Sequence, residues 1–234
     1  MKPSAGEEPR PYLAIIRCGA AHCLIDDGSS RQFDIALNFY APPAADTLDD
    51  CEYSYSGGLN KYKAAHQFLD DTLLGKYRGF IFLDDDLEIT WSELSRFLDY
   101  CWAHRLQLAQ PSLTRDSFYS HDHLVNAAPY GRRPVRMVEV MCPYFSSDAL
   151  RIALATFNLS YSTWGLDELW PRLPGLHPVV VDEFTVRHTR PVSGSDGAFY
   201  RYMRRIGVSP MQELSKFRAL SEQQVRMLAR ARPR

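Results

Sequence analysis

Apolar residues fall along this chain in short continuous runs divided by polar turns, the pattern of strands buried on both faces of a parallel sheet. The most pronounced run, Phe80, Ile81, Phe82 and Leu83, ends abruptly in Asp84, Asp85 and Asp86. Tyr12 to Cys18 and Ile35 to Tyr40 read as two earlier strands, and Val135 to Met141, Val179 to Val181 and Thr185 to His188 as later ones. Between them the apolar spacing turns helical. Tyr62, Ala65, Phe68, Leu69 and Leu73 share one face after the cap residue Asn60. Leu94, Phe97, Leu98, Cys101 and Trp102 form a stripe reaching about Leu108, and the Thr90 and Glu93 pair before it has capping-box spacing. Ser147 precedes Ala149, Ile152, Leu154, Ala155 and Phe157; Ser195 precedes Phe199, Tyr202, Met203 and Ile206; Ser221, with Gln224, precedes Val225 and Leu228. The alternation predicts an α/β fold, a Rossmann-type single domain with a mostly parallel central sheet flanked by helices, over residues 12–208. A polar, Pro-containing arm over 1–11 precedes it, and a basic helical extension over 209–234, packed on the domain, follows.

Composition narrows this picture. At 234 residues, 45% of them hydrophobic and 12% aromatic, the chain builds one substantial core and is not a disordered segment. A net charge of -1 gives no general attraction to nucleic acid, and no nucleic-acid partner is expected. Five arginines lie in the last seventeen residues, which suits a solvated helix end or a peripheral contact with the inner membrane. The five cysteines, at 18, 23, 51, 101 and 142, have neither zinc nor redox spacing and suit a reducing compartment. No apolar leader opens MKPSAGEEPRP, and no apolar stretch has membrane-spanning length, so a cytoplasmic location is expected. Trp91 and Trp102 read most simply as core residues.

Chemistry concentrates at the acidic triplet. Three carboxylates cannot enter a core uncompensated, so their natural place is just past the carboxyl end of a parallel strand, in the crevice where open α/β sheets bind ligands. Hard oxygen ligands there suit Mn2+ or Mg2+, and such ions commonly complete their shells with phosphate oxygens. Arg17 and Tyr40, at the ends of the first two strands, are candidates for contacting a nucleotide, Tyr40 by stacking on its base. Gly19 to His22 would turn after the first strand, but no G-x-G-x-x-G is present. Lys61 and Lys63 lie in a first helical turn, where solvated lysines and a phosphate site are equally economical. His188 is a candidate imidazole ligand, with a structural histidine as the alternative. Asp167 and Glu168 follow Trp164 and Gly165, so a carboxylate there could receive a proton from a sugar hydroxyl held against an aromatic surface. His121 and His123 form a His-x-His pair that lacks a third ligand nearby.

The segments SGGLNKYKA, IFLDDDLEI, VEVMCPYFS, WGLDELW and VVDEFTVRHT, in that order over about residues 54 to 190, resemble the glycosyltransferase-like family of domain of unknown function 707. More broadly they resemble GT-A nucleotide-sugar glycosyltransferases. The resemblance implies a GT-A-like sheet and a D-x-D motif, here Asp84 and Asp86, that holds the metal of a metal–nucleotide-sugar complex, with Asp84 and Asp85 also facing the donor. It implies a late histidine, His188, completing the metal site, and places Trp164, Gly165 and Asp167 at the acceptor with Asp167 or Glu168 as base. Asp85 stands where plant relatives often carry glutamate. The implied partners are a nucleoside-diphosphate sugar and a glycan or glycolipid acceptor.

Two other classes are compatible with the residues. A strand ending in D-x-D also suits the aspartyl nucleophile of a phosphohydrolase or phosphotransferase, although Glu88 occupies the position where the haloacid-dehalogenase pattern has Thr or Val. A nucleotide-sugar or carbohydrate-binding module would keep the pocket without turnover.

Overall fold

The computed structural model describes residues 9–44, 46–128, 131–192 and 196–231. Its strands are β1 (Tyr12–Cys18), β2 (Leu24–Ile25), β3 (Phe33–Phe39), β4 (Tyr53–Ser56), β5 (Gly79–Asp84), β6 (Leu87–Thr90), β7 (Leu108–Leu113), β8 (Arg133–Pro134), β9 (Tyr144–Ser146) and β10 (Pro178–His188). Its helices are α1 (Lys61–Phe68), α2 (Asp71–Lys76), α3 (Trp91–Ala103), α4 (Ser147–Ala153), α5 (Leu166–Leu169), α6 (Ala198–Arg205), α7 (Pro210–Arg218) and α8 (Glu222–Arg230). The strands form one mixed sheet in the order β2-β6-β10-β7-β9-β5-β1-β3-β4, with β8 beside β10. Strands β4, β3, β1 and β5 are parallel; β9 runs antiparallel between β5 and β7; β10 is parallel to β7 and antiparallel to β6.

The continuous apolar runs have the cause expected of them, because the sheet is covered on both faces. On one face Ala14, Ile16, Ile35, Leu37, Ile81 and Leu83 pack with Leu94, Phe97 and Leu98 of α3. On the other, Leu13, Ile15, Phe80 and Phe82 pack with Tyr62 of α1, Leu150 of α4, Trp170 and Phe217 of α7. A ring such as Phe82, wholly removed from water, contributes about 1.5–3 kcal/mol. No helix among the described residues is long and apolar enough to cross a membrane.

Several elements depart from the sequence expectations. Val135 to Met141 is irregular, and the strand that enters the sheet is the shorter β9, downstream of Pro143. The helix after Asn60 breaks at Leu69, where Asp70 accepts the Leu73 N–H and caps a second helix. α3 ends at Ala103. Its cap is half of a capping box: Thr90 accepts the Glu93 N–H, but the Glu93 carboxylate turns away to accept the Thr185 N–H. Trp102 is 47% exposed beneath the Arg78 guanidinium and belongs to no core. The two late strand segments are one strand, β10, whose pairing with β7 shifts between Val181 and Thr185. That irregularity lies beside Pro111, which cannot donate to the ladder. Ser195 lies outside the described residues; α6 begins after Gly197, without a side-chain cap. Ser221 and Gln224 form a complete capping box.

α7 holds the loop that precedes α5. The Glu213 carboxylate accepts hydrogen bonds from Tyr161 N (2.9 Å), Ser162 N (2.8 Å) and the hydroxyls of Ser160 and Ser162. Asn60 donates to the Ser160 and Tyr161 carbonyls from the opposite side. Thr163 and Gly165 then take positive φ, 71° and 85°, and a Cβ on Gly165 would come within 2.7 Å of the Phe217 ring.

Two substitutions test this packing. Burial works against the Glu213 charge, but its hydrogen bonds outweigh burial and hold it below the ordinary value of 4.5. Its contribution is therefore complete above that value and lost as pH falls through the lower folded one. Glu213→Gln is expected to cost about 1–3 kcal/mol at pH 7, with the gap to wild type closing in acid urea titrations below about pH 4.5. A Cβ at Gly79 would meet the buried Tyr144 ring at 2.5 Å. Gly79→Ala is expected to cost about 1–3 kcal/mol by overpacking, read in the same titrations; an unmoved midpoint would show that the ring yields freely.

Candidate functional site

From β1 the chain passes to β3 on one side and to β5 on the other, so the crevice at their carboxyl ends is a topological switch point. Register aligns Arg17 with Asn38 on one neighbour and Asp84 on the other. Arg17 donates to the Asn38 side chain and to the Gly57 and Gly58 carbonyls, and its guanidinium lies 5.6 Å from the centre of the Tyr40 ring. A cleft of about 810 Å3 opens there. Arg17, Tyr40, Asp84, Asp85, Asp86, Trp164, Gly165, Asp167, Glu168 and His188 all line it. Lys61 lies in an adjoining cavity of about 240 Å3 that Arg17 and Asp84 share.

Each member of the acidic triplet has different partners. Asp84 accepts from Lys61 Nζ at 2.9 Å; the same ammonium donates to the Met141 carbonyl at 3.0 Å, so Lys61 is buried and committed, not solvated. Lys63 is likewise engaged, with Asn158. Burial raises the Asp84 pKa, and Lys61 opposes that rise. Asp85 accepts from Gly19 N at 3.0 Å, Tyr40 hydroxyl at 2.7 Å and Arg190 Nη1 at 3.0 Å, so both its oxygens are bound to the protein itself.

Asp86 faces His188 because β6 and β10 pair antiparallel with Leu87 opposite His188, while Thr189 donates to the Asp86 carbonyl. His188 Nδ1 is 2.7 Å from the Phe118 carbonyl, which fixes the proton on Nδ1 in the neutral ring and turns Nε2 toward Asp86 Oδ2 at 3.4 Å. Asp86 Oδ1 is buried with no hydrogen-bond partner among the described residues. Burial disfavours the Asp86 charge, but His188 and Arg190 outweigh it and hold the carboxyl below its ordinary value. An orphaned carboxylate oxygen beside an oriented imidazole nitrogen fits a divalent cation whose other ligands come from a bound substrate. Among the described residues no three His, Cys, Asp or Glu side chains gather into a metal-holding group, so the expected set of Asp84, Asp86 and His188 is not brought together, Asp84 being engaged with Lys61. His121 and His123 have ring centres 5.6 Å apart and acquire no third partner of that kind.

The opposite wall separates the two carboxylates that sequence left as alternatives. Glu168 is bound by Arg218 of α7 through both oxygens, at 2.7 and 2.5 Å, and that hydrogen bonding pulls its pKa down. Among the described residues Asp167 meets no cation at hydrogen-bond distance and accepts only backbone N–H donors. Burial pushes it up to about 6 despite the Glu168 N–H it accepts at 2.9 Å. Trp164 packs edge-on to Tyr200, and Phe199 to Tyr200, so α6 supplies an aromatic flank.

Sequence reasoning missed three cleft residues of consequence. Arg190 reaches Asp85 and approaches Asp86 within 3.8 Å. Arg218 comes from the basic extension, whose arginines gave no hint of a partner. Glu139 carries a buried, unpartnered Oε2, and burial followed by the charges of Asp167 and Asp84 pushes it up to about 7. Reading VRMVEVM as a strand hid it; the available signal was a lone carboxylate among apolar residues just before Pro143.

No family model matches the sequence, and no match is found among curated proteins, so the resemblance to domain of unknown function 707 rests on the quoted segments. Solved structures do match. TarS of S. aureus aligns with a TM-score of 0.54 at 11% identity, over 88% of this chain and 42% of that one. TarS 1-349 in complex with UDP-GlcNAc gives 0.53 at 11% identity, over 88% and 71%. GalNAc-T7 with UDP, GalNAc and Mn2+ gives 0.53 at 9% identity, over 94% and 54%. The chain spans less than half the length of the longer TarS chain. At such identities the likeness is one of fold, and the α/β domain with helices flanking a mixed, mostly parallel sheet shares the fold of these structures.

Proposed function

We propose that this chain is a metal-dependent glycosyltransferase of the GT-A kind, moving a sugar from a nucleoside-diphosphate sugar to a hydroxyl of a glycan or glycolipid. The observation that carries the reading is the meeting, across one cleft at the switch point, of the Asp86–His188 pair with a buried, cation-free Asp167. Fold likeness to proteins crystallised with UDP-GlcNAc, and with UDP, GalNAc and Mn2+, makes a uridine nucleotide the first probe.

Asp86 and His188 would hold Mn2+ or Mg2+, which supplies positive charge to the leaving diphosphate. Arg17 and the exposed Tyr40 ring face the nucleotide end of the cleft, and Arg190 adds a cation beside the acidic turn. In a direct displacement the acceptor oxygen bonds to the anomeric carbon as the bond from that carbon to the phosphate oxygen breaks, its electron pair leaving with the diphosphate. The acceptor proton passes to Asp167. Asp167 suits this better than Glu168, whose lone pairs are committed to Arg218. The Trp164, Phe199 and Tyr200 flank gives the acceptor sugar an apolar surface on the Asp167 side.

Nucleoside diphosphate release is measured from UDP- and GDP-sugars with Mn2+ and a panel of glycan and glycolipid acceptors. Release that requires the metal and is abolished by EDTA is expected; no release from any donor by folded protein would overturn the proposal. Orthophosphate release from a generic phosphomonoester in its place would favour the phosphohydrolase. Asp86→Asn and His188→Ala are expected to remove the manganese dependence of nucleotide binding. Asp167→Asn is expected to lower kcat by about 10²–10⁴ while nucleotide affinity holds. Because the base must be deprotonated, kcat/KM in wild type should fall with acidification below about pH 6 and level off above it.

A further inference from the structure

Glu139 stands apart from the other cleft carboxylates. Asp84, Asp85, Asp86 and Glu168 each have a lysine or arginine within 4 Å, and Asp167 takes an N–H from its own helix, but Glu139 Oε2 is buried without any hydrogen bond among the described residues. An enclosed carboxylate oxygen without a hydrogen bond costs about 1–3 kcal/mol unless water or a ligand in the cleft satisfies it. Its backbone is fixed from three directions: Gln110 Oε1 accepts the Glu139 N–H at 2.6 Å, the Tyr62 hydroxyl donates to the Val140 carbonyl at 2.6 Å, and Lys61 donates to the Met141 carbonyl at 3.0 Å. The carboxyl is thus presented to the cleft by a rigid segment.

The charges that face it are Asp167 from α5, Asp84 from β5, His188 from β10 and Lys61 from α1. Asp84 belongs to the diphosphate end of the proposed site and Asp167 to the acceptor end, and Glu139 lines the same cleft and is acted on by both charges, which makes the sugar being transferred the part of the donor it would meet. We propose that Glu139 hydrogen-bonds a hydroxyl of that sugar and, with Asp84 and Asp167, makes the enzyme selective for neutral sugars over uronic acids. This rests on the function proposed above. A uronate would bring its carboxyl group against Asp167 and Glu139, and the nearest ammonium, Lys61, is already bound to Asp84 and the Met141 carbonyl.

Wild type and Glu139→Gln are compared, with Mn2+, for binding of UDP and GDP alone and for turnover of matched donors: UDP-glucose with UDP-glucuronic acid, and GDP-mannose with GDP-mannuronic acid. The amide keeps the shape but alters the charge and hydrogen bonding. Wild type is expected to favour the neutral donor by about tenfold or more, and Glu139→Gln to lower its kcat/KM by about tenfold or more, losing a hydrogen bond to a carboxylate. Nucleotide affinity should stay within about twofold, and the discrimination against uronate should narrow. Unchanged kcat/KM in a variant that binds nucleotide normally, or a wild type preferring the uronate, overturns this inference alone. Failure of wild type to bind either nucleotide overturns the proposed function and this inference with it. Loss of nucleotide binding in Glu139→Gln with an unchanged unfolding midpoint would also overturn it, since the contact would then lie on the diphosphate side.

Discussion

Three adjacent carboxylates at the end of a buried strand repel one another, and the molecule tolerates them by giving each a partner from a different part of the chain. Lys61 at the start of α1 answers Asp84; Gly19 after β1, Tyr40 after β3 and Arg190 after β10 answer Asp85; His188 at the end of β10 answers Asp86. Every one of those elements must therefore converge on the β5–β6 turn. The convergence makes the cleft, because groups drawn in to neutralise the turn are the same groups that line the mouth of the sheet. Neutralisation is incomplete at Asp86 Oδ1, which has no hydrogen-bond partner among the described residues, and the proposed function assigns that oxygen to a bound cation.

Those partners explain which parts of the fold were legible. β1, β3 and β5 could be read because burial on both faces leaves an uninterrupted apolar run, and the acidic turn because it breaks that run without warning. β7 escaped because Pro111 argues against a strand, and only its position beside the irregularity of β10 makes it acceptable. β4, YSYS, is polar at every second residue and lies at the sheet edge next to a glycine pair, where a short strand and a loop look alike. Val135 to Met141 erred the other way: its apolar residues fill core positions from an irregular backbone held by side chains of Gln110, Tyr62 and Lys61, none of which is near in sequence. Pairwise geometry of this kind leaves no local trace. The same limit applies at the site, where Asp167 and Glu168 are adjacent in sequence and only the arrival of Arg218 from α7 distinguishes them.

The C-terminal helices have a structural part in the Asp167 side of the cleft. Phe217 fills the space against Gly165 that any side chain there would need, Glu213 ties the backbone of Tyr161 and Ser162, and Arg172 reaches back to the Phe217 and Leu220 carbonyls. The loop from Ser160 to Gly165, with two residues at positive φ, is thereby held in a conformation its own sequence does not favour. Precision in that loop matters to the proposed function because it leads directly into Asp167, the proposed base, and a catalytic group displaced by about 1 Å loses much of its effect.

Environment, not residue type, divides the labour among the cleft carboxylates. A carboxylate answered by a fixed cation, as Glu168 is by Arg218, stays charged and serves as structure. One surrounded by protein but without a cation, as Asp167 is, moves toward neutral pH and becomes able to exchange a proton. One with an enclosed oxygen that has no hydrogen bond among the described residues, as Glu139 is, moves further still. The three conditions occur in one cleft because α7 brings Arg218 into hydrogen bonds with Glu168 and not with Asp167 or Glu139. A cation supplied to Asp167 or Glu139 would relieve their burial, but it would also fix the charge whose freedom the proposed transfer needs.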